Sequence, residues 1–105
     1  MIPEIKRGRF LIVLTDGSFV WVPDKPTTRI VEKMIGADVL DTVTLRRGGE
    51  VPGKDAIVMF VDDLGVSKDL PVNQKATEYY LSRCKPGTTH EIRGDVALVN
   101  DEDFA

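Results

Sequence analysis

The side chains that could do chemistry in this chain are few and scattered. It holds one cysteine, Cys84, and one histidine, His90. A thiol nucleophile needs an oriented base, and this pair has no third group at a recognisable spacing. The adjacent Asp62 and Asp63 and the acidic run 101–103 could bind a hard cation, but no calcium-loop spacing appears. We therefore expect a solvated turn and tail there, and no catalytic site, metal or cofactor.

The best candidate for binding a ligand is a glycine-rich, charged loop. It contains Arg46, Arg47, Gly48 and Gly49. Backbone N–H groups in such a loop can cradle a phosphate, and two guanidinium groups can bind it through paired hydrogen bonds. The loop lacks the Lys-Ser/Thr pair of a phosphate-binding P-loop and does not open a helix, so a plain connection between strands is the alternative.

Three aromatic side chains, Trp21, Tyr79 and Tyr80, could instead contact another protein. Adjacent helical positions do not both face the core, so one tyrosine is expected to be exposed. If Ala76, Tyr80 and Cys84 form the buried stripe, Tyr79 is the exposed one. Exposed aromatic residues often anchor interfaces, and we therefore predict Tyr79 and Trp21 as partner contacts.

Composition indicates one ordinary globular domain over residues 1–105. The chain has 42% hydrophobic and 30% charged residues, and its formal charge of −3 argues against nucleic acid. A single cysteine favours a reducing compartment. The first apolar run, residues 10–14, is too short to span a membrane or to form a secretion signal. We expect a cytoplasmic protein.

Hydrophobic periodicity predicts a small α+β domain. Short apolar or alternating runs predict strands, and apolar residues three to four positions apart predict helices. The predicted elements, in chain order, are strands 9–15 and 18–22, helix 28–35, strands 40–45 and 56–61, helix 73–85 and strand 91–99. Two helices are too few to cover both faces of a parallel sheet. We therefore expect a mixed or mostly antiparallel sheet of about five strands, with both helices on one side, in the order β-β-α-β-β-α-β.

Turn and capping residues separate the first elements. Asp16-Gly17 between two apolar runs predicts a two-residue hairpin turn of type I′. Thr27 or Thr28 can cap the first helix, and Gly36 is suited to end it. These signals fix the expected boundaries of the hairpin and of the first helix.

Asn73, Gly94 and Asp95 each allow two interpretations. Asn73 could bind a ligand edge, but an asparagine at a helix start caps free N–H groups. Gly94 indicates a bulge or a close backbone approach within the last strand, and Asp95 fits that arrangement better than it fits a catalytic carboxylate. The sequence thus favours architecture at all three positions.

Three segments, residues 61–65, 70–77 and 91–99, carry a resemblance to a known family. They form an acidic turn, then Leu-Pro-x-Asn-x-x-Ala-Thr, then Ile-x-Gly-Asp-Val. This order resembles domain of unknown function 3846, a family of bacteria, their phages and some plants. The resemblance covers roughly the last two-thirds of the chain. It implies a phage or actinobacterial setting, and it implies no activity, cofactor or catalytic residue.

Two functions from different classes follow. The favoured one is a small accessory protein, phage-encoded or phage-derived, that modulates its host without catalysis by binding a host protein or a second copy of itself. The alternative is a protein that binds a nucleotide or another small anion through residues 46–49, for example to sequester a ligand as an anti-defence factor.

Overall fold

Short apolar segments build a single sheet flanked by helices in the computed structural model, which describes residues 2, 5, 8–45, 57–82 and 91–100. Within these residues the order is β-β-α-β-β-α-β, as the sequence predicts. The elements are β1 (Phe10–Val13), β2 (Phe19–Val22), α1 (Thr28–Ile35), β3 (Leu40–Leu45), β4 (Ile57–Asp62), α2 (Gln74–Ser82) and β5 (Val96–Asn100). The α+β class is confirmed.

The sheet has the strand order β2-β1-β5-β4-β3, and every pairing among the described strands is antiparallel. β5 lies at the centre, where Leu98 is opposite Leu11 of β1 on one side and Met59 of β4 on the other. Every residue of β5 is buried. Its continuous apolar run therefore reflects a strand covered on both faces.

The two helices lie on opposite faces of the sheet. Val31 and Ile35 of α1 belong to one buried cluster, and Ala76 of α2 belongs to the other. The expectation that both helices share one side is therefore wrong. The physical reason is that consecutive residues of β1, β4 and β5 are apolar, so both faces of the sheet need cover, and one helix per face provides it.

The first hairpin forms where Asp16-Gly17 predicts it, but its turn differs. Leu14 N–H donates to Ser18 O at 2.9 Å, and Gly17 N–H donates to Leu14 O at 3.0 Å. Gly17 has a φ of +91°, whereas φ is not positive at Thr15 or Asp16. This is a three-residue loop with a type I turn and a left-handed glycine. The type I′ prediction is wrong, since that turn needs positive φ at both central residues.

The first helix begins and ends where the sequence predicts. The Thr27 side chain accepts a hydrogen bond from Ile30 N–H at 3.3 Å, and Gly36 takes the left-handed conformation that ends α1. Pro26 before the cap is fully buried. The connection from β2 into α1 is therefore short and is fixed mainly by its own residues.

The last strand is shorter than predicted. It begins at Val96, and residues before it form a turn in which Gly94 has a φ of +81°. The prediction of a bulge within the strand is therefore wrong. The predicted close approach to the backbone at Gly94 is confirmed, because a Cβ there would lie 2.9 Å from Leu70 Cδ1. At the other predicted boundary, α2 is described to Ser82, and the predicted end of that helix lies outside the described residues.

Candidate functional site

Asn73 joins three parts of the fold at the start of α2. Its side chain is fully buried, and its Oδ1 accepts a hydrogen bond from Ala76 N–H at 3.1 Å. Its Nδ2 donates to the carbonyl oxygens of Val13 and Gly94, both at 2.9 Å. The amide therefore caps α2 and ties it to β1 and to the turn before β5. These contacts support the architectural interpretation over a ligand role.

The segment that leads into β5 is also held by α2. Ile92 N–H donates to the Thr77 hydroxyl at 2.9 Å, and Asn73 N–H donates to Ile92 O at 2.8 Å. Asp95 Oδ1 accepts a hydrogen bond from Thr15 N–H at 2.9 Å, which fixes the first hairpin loop to this segment. These contacts give Asp95 a structural partner, in line with the favoured interpretation.

Asp62 at the end of β4 is a buried carboxylate. Its oxygens accept hydrogen bonds from Leu64 N–H at 2.9 Å and from Lys68 Nζ at 2.8 Å. Burial opposes ionisation, but these hydrogen bonds and the Lys68 charge outweigh it and hold the pKa of Asp62 below its ordinary value. The expected solvated turn is therefore wrong for Asp62, because its lysine partner follows in the same turn; the neighbouring Asp63 is exposed.

The turn after Asp62 is closed by its own backbone. Lys68 N–H donates to Leu64 O at 2.8 Å, and Leu70 N–H donates to Gly65 O at 3.0 Å. Asp69 adopts a φ of +54°, which aspartate tolerates better than most residues. This pattern resembles the end of a helix and leaves little freedom in residues 63–69. The turn presents Leu64 and Val66 to solvent at 37% and 76% exposure.

A groove of about 150 Å³ lies between this turn, the β3–β4 pair and the segment before β5. Its floor is apolar: Val43 and Val61 are half-buried, and Ile92 is buried. The groove opens on the sheet face that carries α2, because both valines pack against the core cluster of that face. A shallow apolar floor of this kind suits side chains of a partner better than it suits an isolated ion.

The rim of the groove is acidic. Asp41, Asp63 and Glu91 line it and are exposed. The basic residue there, Arg93, donates from Nη1 to Leu70 O at 3.0 Å and lies 3.9 Å from Asp69 Oδ1. Asp69 and the Leu70 carbonyl thus partly compensate the positive charge of Arg93, and the rim keeps a net negative charge. We call this site, with its floor and its three rim carboxylates, the acidic groove.

The described residues form no metal-binding cluster, at this groove or elsewhere. Among them, no group of three His, Cys, Asp or Glu side chains lies close enough together to hold a metal ion. None of the helices that the structure describes is long and apolar enough to cross a membrane.

The predicted partner contacts, Trp21 and Tyr79, do not line the acidic groove. Trp21 on β2 is half-buried, with the Arg9 guanidinium 4.2 Å from its ring centre. Tyr79 and Tyr80 are both half-buried, so the expectation that one of them is exposed is wrong. Ala76 is the most buried residue of α2, and the two tyrosines lie about 60° and 40° to either side of it around the helix, which lets both pack.

Comparisons with known proteins do not assign the chain to a family. A scan against protein-family models and searches of the curated proteins and of the solved structures each found no match. The resemblance to domain of unknown function 3846 therefore stays a prediction. The arginines and glycines of residues 46–49 lie outside the described residues, and their proposed anion site does too.

Sequence reasoning missed the acidic groove because its parts are distant along the chain. Asp41, Asp63 and Glu91 come from a strand, a turn and the segment before β5. The one usable signal was Val66, an apolar residue between Gly65 and Ser67 in a polar turn. An isolated valine on a surface is common, so that signal gains meaning only beside the groove.

Proposed function

We propose that the protein is a small accessory protein that acts without catalysis by binding a segment of another protein in the acidic groove. The observation that carries the proposal is the groove itself, in which an apolar floor is bordered by exposed carboxylates. Such a site suits a segment with apolar side chains and a lysine or arginine.

The surroundings of the groove support a partner larger than a small molecule. Val66, at 76% exposure, lines the groove, and Leu64 and Val39 are also exposed, at 37% and 48%. Val39 is joined to the turn because its carbonyl oxygen accepts a hydrogen bond from Asp63 N–H at 2.9 Å. The apolar lining of the groove therefore reaches solvent at Val66, and the adjoining turn and the residue before β3 carry two more exposed apolar side chains. The closed turn that carries Leu64 and Val66 is ordered before binding, which reduces the entropy lost on association.

The charge of the site favours a basic partner over a small anion. The rim carboxylates repel phosphate groups, and the chain as a whole has a formal charge of −3. We propose that the protein is phage-encoded or phage-derived and that it binds a host protein in the cytoplasm. The family resemblance supports that origin, and the single cysteine supports that compartment.

Capture of partners from a host lysate tests the proposal with two matched valine variants. Val66→Lys places a cation beside the acidic groove, whereas Val20→Lys makes the same change on β2, where Val20 is 40% exposed. We expect wild type and Val20→Lys to retain the same partner and Val66→Lys to lose it. A wild-type protein that retains nothing, or a partner that both variants retain equally, would contradict the proposal.

A further inference from the structure

Among the described residues, the strand that borders the acidic groove is an edge strand of the sheet. Within the described residues β3 pairs with β4 alone, and the six residues of β3 follow β4 in register without a bulge. It contains neither proline nor lysine, the residues that commonly protect sheet edges. At the opposite end of the sheet, β2 has four residues and is followed at once by Pro23. β3 is therefore the better edge for an added strand.

Two hydrogen bonds show which backbone groups of this edge face outward. Val39 O accepts from Asp63 N–H, which continues the β3–β4 ladder. Thr42 N–H instead donates to the Asp41 side chain at 2.9 Å. Since backbone groups alternate in direction along an antiparallel strand, those of Leu40, Thr42 and Thr44 point away from β4. They form a row that another strand can pair with.

We infer that the partner segment adds to the outer edge of β3 as a sixth strand, so that its side chains on the face of Asp41 reach the acidic groove and place a lysine or arginine beside Asp41. This inference rests on the proposed function and specifies how the partner binds. Alternate side chains of the added strand lie on the face of Asp41 and Val43, where the groove begins. Main-chain pairing then supplies affinity, and the acidic and apolar positions supply selectivity.

Asp41 has two roles in this arrangement. Without a partner, its carboxylate accepts the outward Thr42 N–H and so occupies the central donor of the edge. When a strand adds, a carbonyl oxygen of that strand takes the Thr42 N–H. The released carboxylate then pairs with the cation of the added segment.

Charge also selects against a second copy of this chain at the same edge. Two copies would bring two acidic rims together, and each chain carries a formal charge of −3. The acidic rim attracts a basic segment, whereas it repels a second copy of the chain. Pairing between two copies is nevertheless a defined outcome of the test below.

A labelled peptide of alternating threonine and valine with one central arginine tests the inference by fluorescence anisotropy. N-methylation along the pairing edge of the peptide should weaken binding at least about tenfold, because it removes main-chain donors. Replacement of its arginine by glutamine should weaken binding about two- to fivefold. In Asp41→Asn the preference for arginine should vanish, whereas Asp24→Asn, at an exposed site after β2, should keep it.

Thr42→Pro provides a second test within the protein. Proline removes an N–H that faces away from β4, so the ladder to β4 stays intact and an unchanged melting temperature confirms the fold. We expect binding of the arginine peptide to be lost. Retained binding, or equal binding of the N-methylated peptide, would overturn strand addition and leave the groove as a docking site, as the lysate experiment tests separately.

Three further results would also overturn the inference. These are no binding of the arginine peptide to wild type, equal binding of the arginine and glutamine peptides, and a wild-type dimer in solution that Thr42→Pro converts to a monomer. The last result would assign the edge to a second copy of the chain.

Discussion

The two strand-to-helix connections of this fold reach a capped helix in different ways. Thr27 caps α1 within a short segment, by a hydrogen bond to a residue three positions on. Asn73 caps α2 in the same way but also bonds to Val13 and Gly94, which are distant in sequence. A capping residue can thus be either a local device or a junction of the tertiary structure. A capping residue is such a junction when its side chain is buried and has further N–H groups to donate to other elements.

The largest expected effect comes from Asn73→Ala. This change removes a cap and leaves the buried carbonyl oxygens of Val13 and Gly94 without their donor. We expect a loss of about 3–5 kcal/mol in the free energy of unfolding, measured by urea denaturation. Asn73→Asp separates the two roles, because it keeps the capping oxygen and loses the donor. An Asn73→Ala cost no larger than that of Thr27→Ala would show that only the cap matters.

An intermediate effect is expected at Asp62, which begins the second connection. Asp62→Asn removes the charge from a buried hydrogen bond to Lys68 and should cost about 1–3 kcal/mol at neutral pH. The same substitution at the exposed Asp63 is the matched control and should stay within about 0.5 kcal/mol. Equal costs in urea denaturation would mean that the Asp62–Lys68 pair does not hold the turn.

The pH dependence of stability should follow from the same carboxylate. The folded pKa of Asp62 lies below its ordinary value of 3.8. Between these two pKa values, the unfolded chain therefore binds more protons at this carboxylate than the folded chain does. The stabilisation is complete above that ordinary value and is lost as the pH falls through the lower folded pKa. Melting temperatures from neutral to strongly acidic pH should therefore fall less in Asp62→Asn than in wild type. Parallel profiles would contradict this assignment.

The smallest expected effect is that of Thr27→Ala in the first connection. It removes one partly exposed capping bond of 3.3 Å and leaves no buried group without a partner from another element. We expect a loss of about 1 kcal/mol in urea denaturation. Thr27→Ser keeps the hydroxyl and should restore most of it. A cost close to that of Asn73→Ala would remove the distinction between the two connections.

The sequence predicted those parts of the fold that short-range signals determine. Thr27 and Gly36 act within a few residues of α1, so both of its boundaries were predictable. Asp16-Gly17 located the hairpin, although the loop length also depends on how Leu14 pairs with Ser18. At these positions the residue types restrict the backbone to a few conformations, so the local sequence pattern is sufficient to predict the structure.

The remaining features depend on contacts that no local pattern carries. The burial of Asp62 follows from how Lys68 folds back over the turn, and the packing of both tyrosines follows from the small Ala76 between them. The acidic groove needs three segments to meet, and their charges alone indicate only solvated surface. These features depend on strand register and on how the helices pack on the sheet, and a short segment of sequence predicts neither.

The central position of β5 has a consequence for how the protein is made. Synthesis delivers β1 and β2 first and the β3–β4 pair next, but β1 and β4 meet in the sheet only through β5. Until residues 96–100 have left the ribosome, β1 and β4 each expose an unpaired apolar edge. A chain interrupted before residue 96 would lack the strand that joins the two pairs, and partly folded chains with unpaired strand edges aggregate readily.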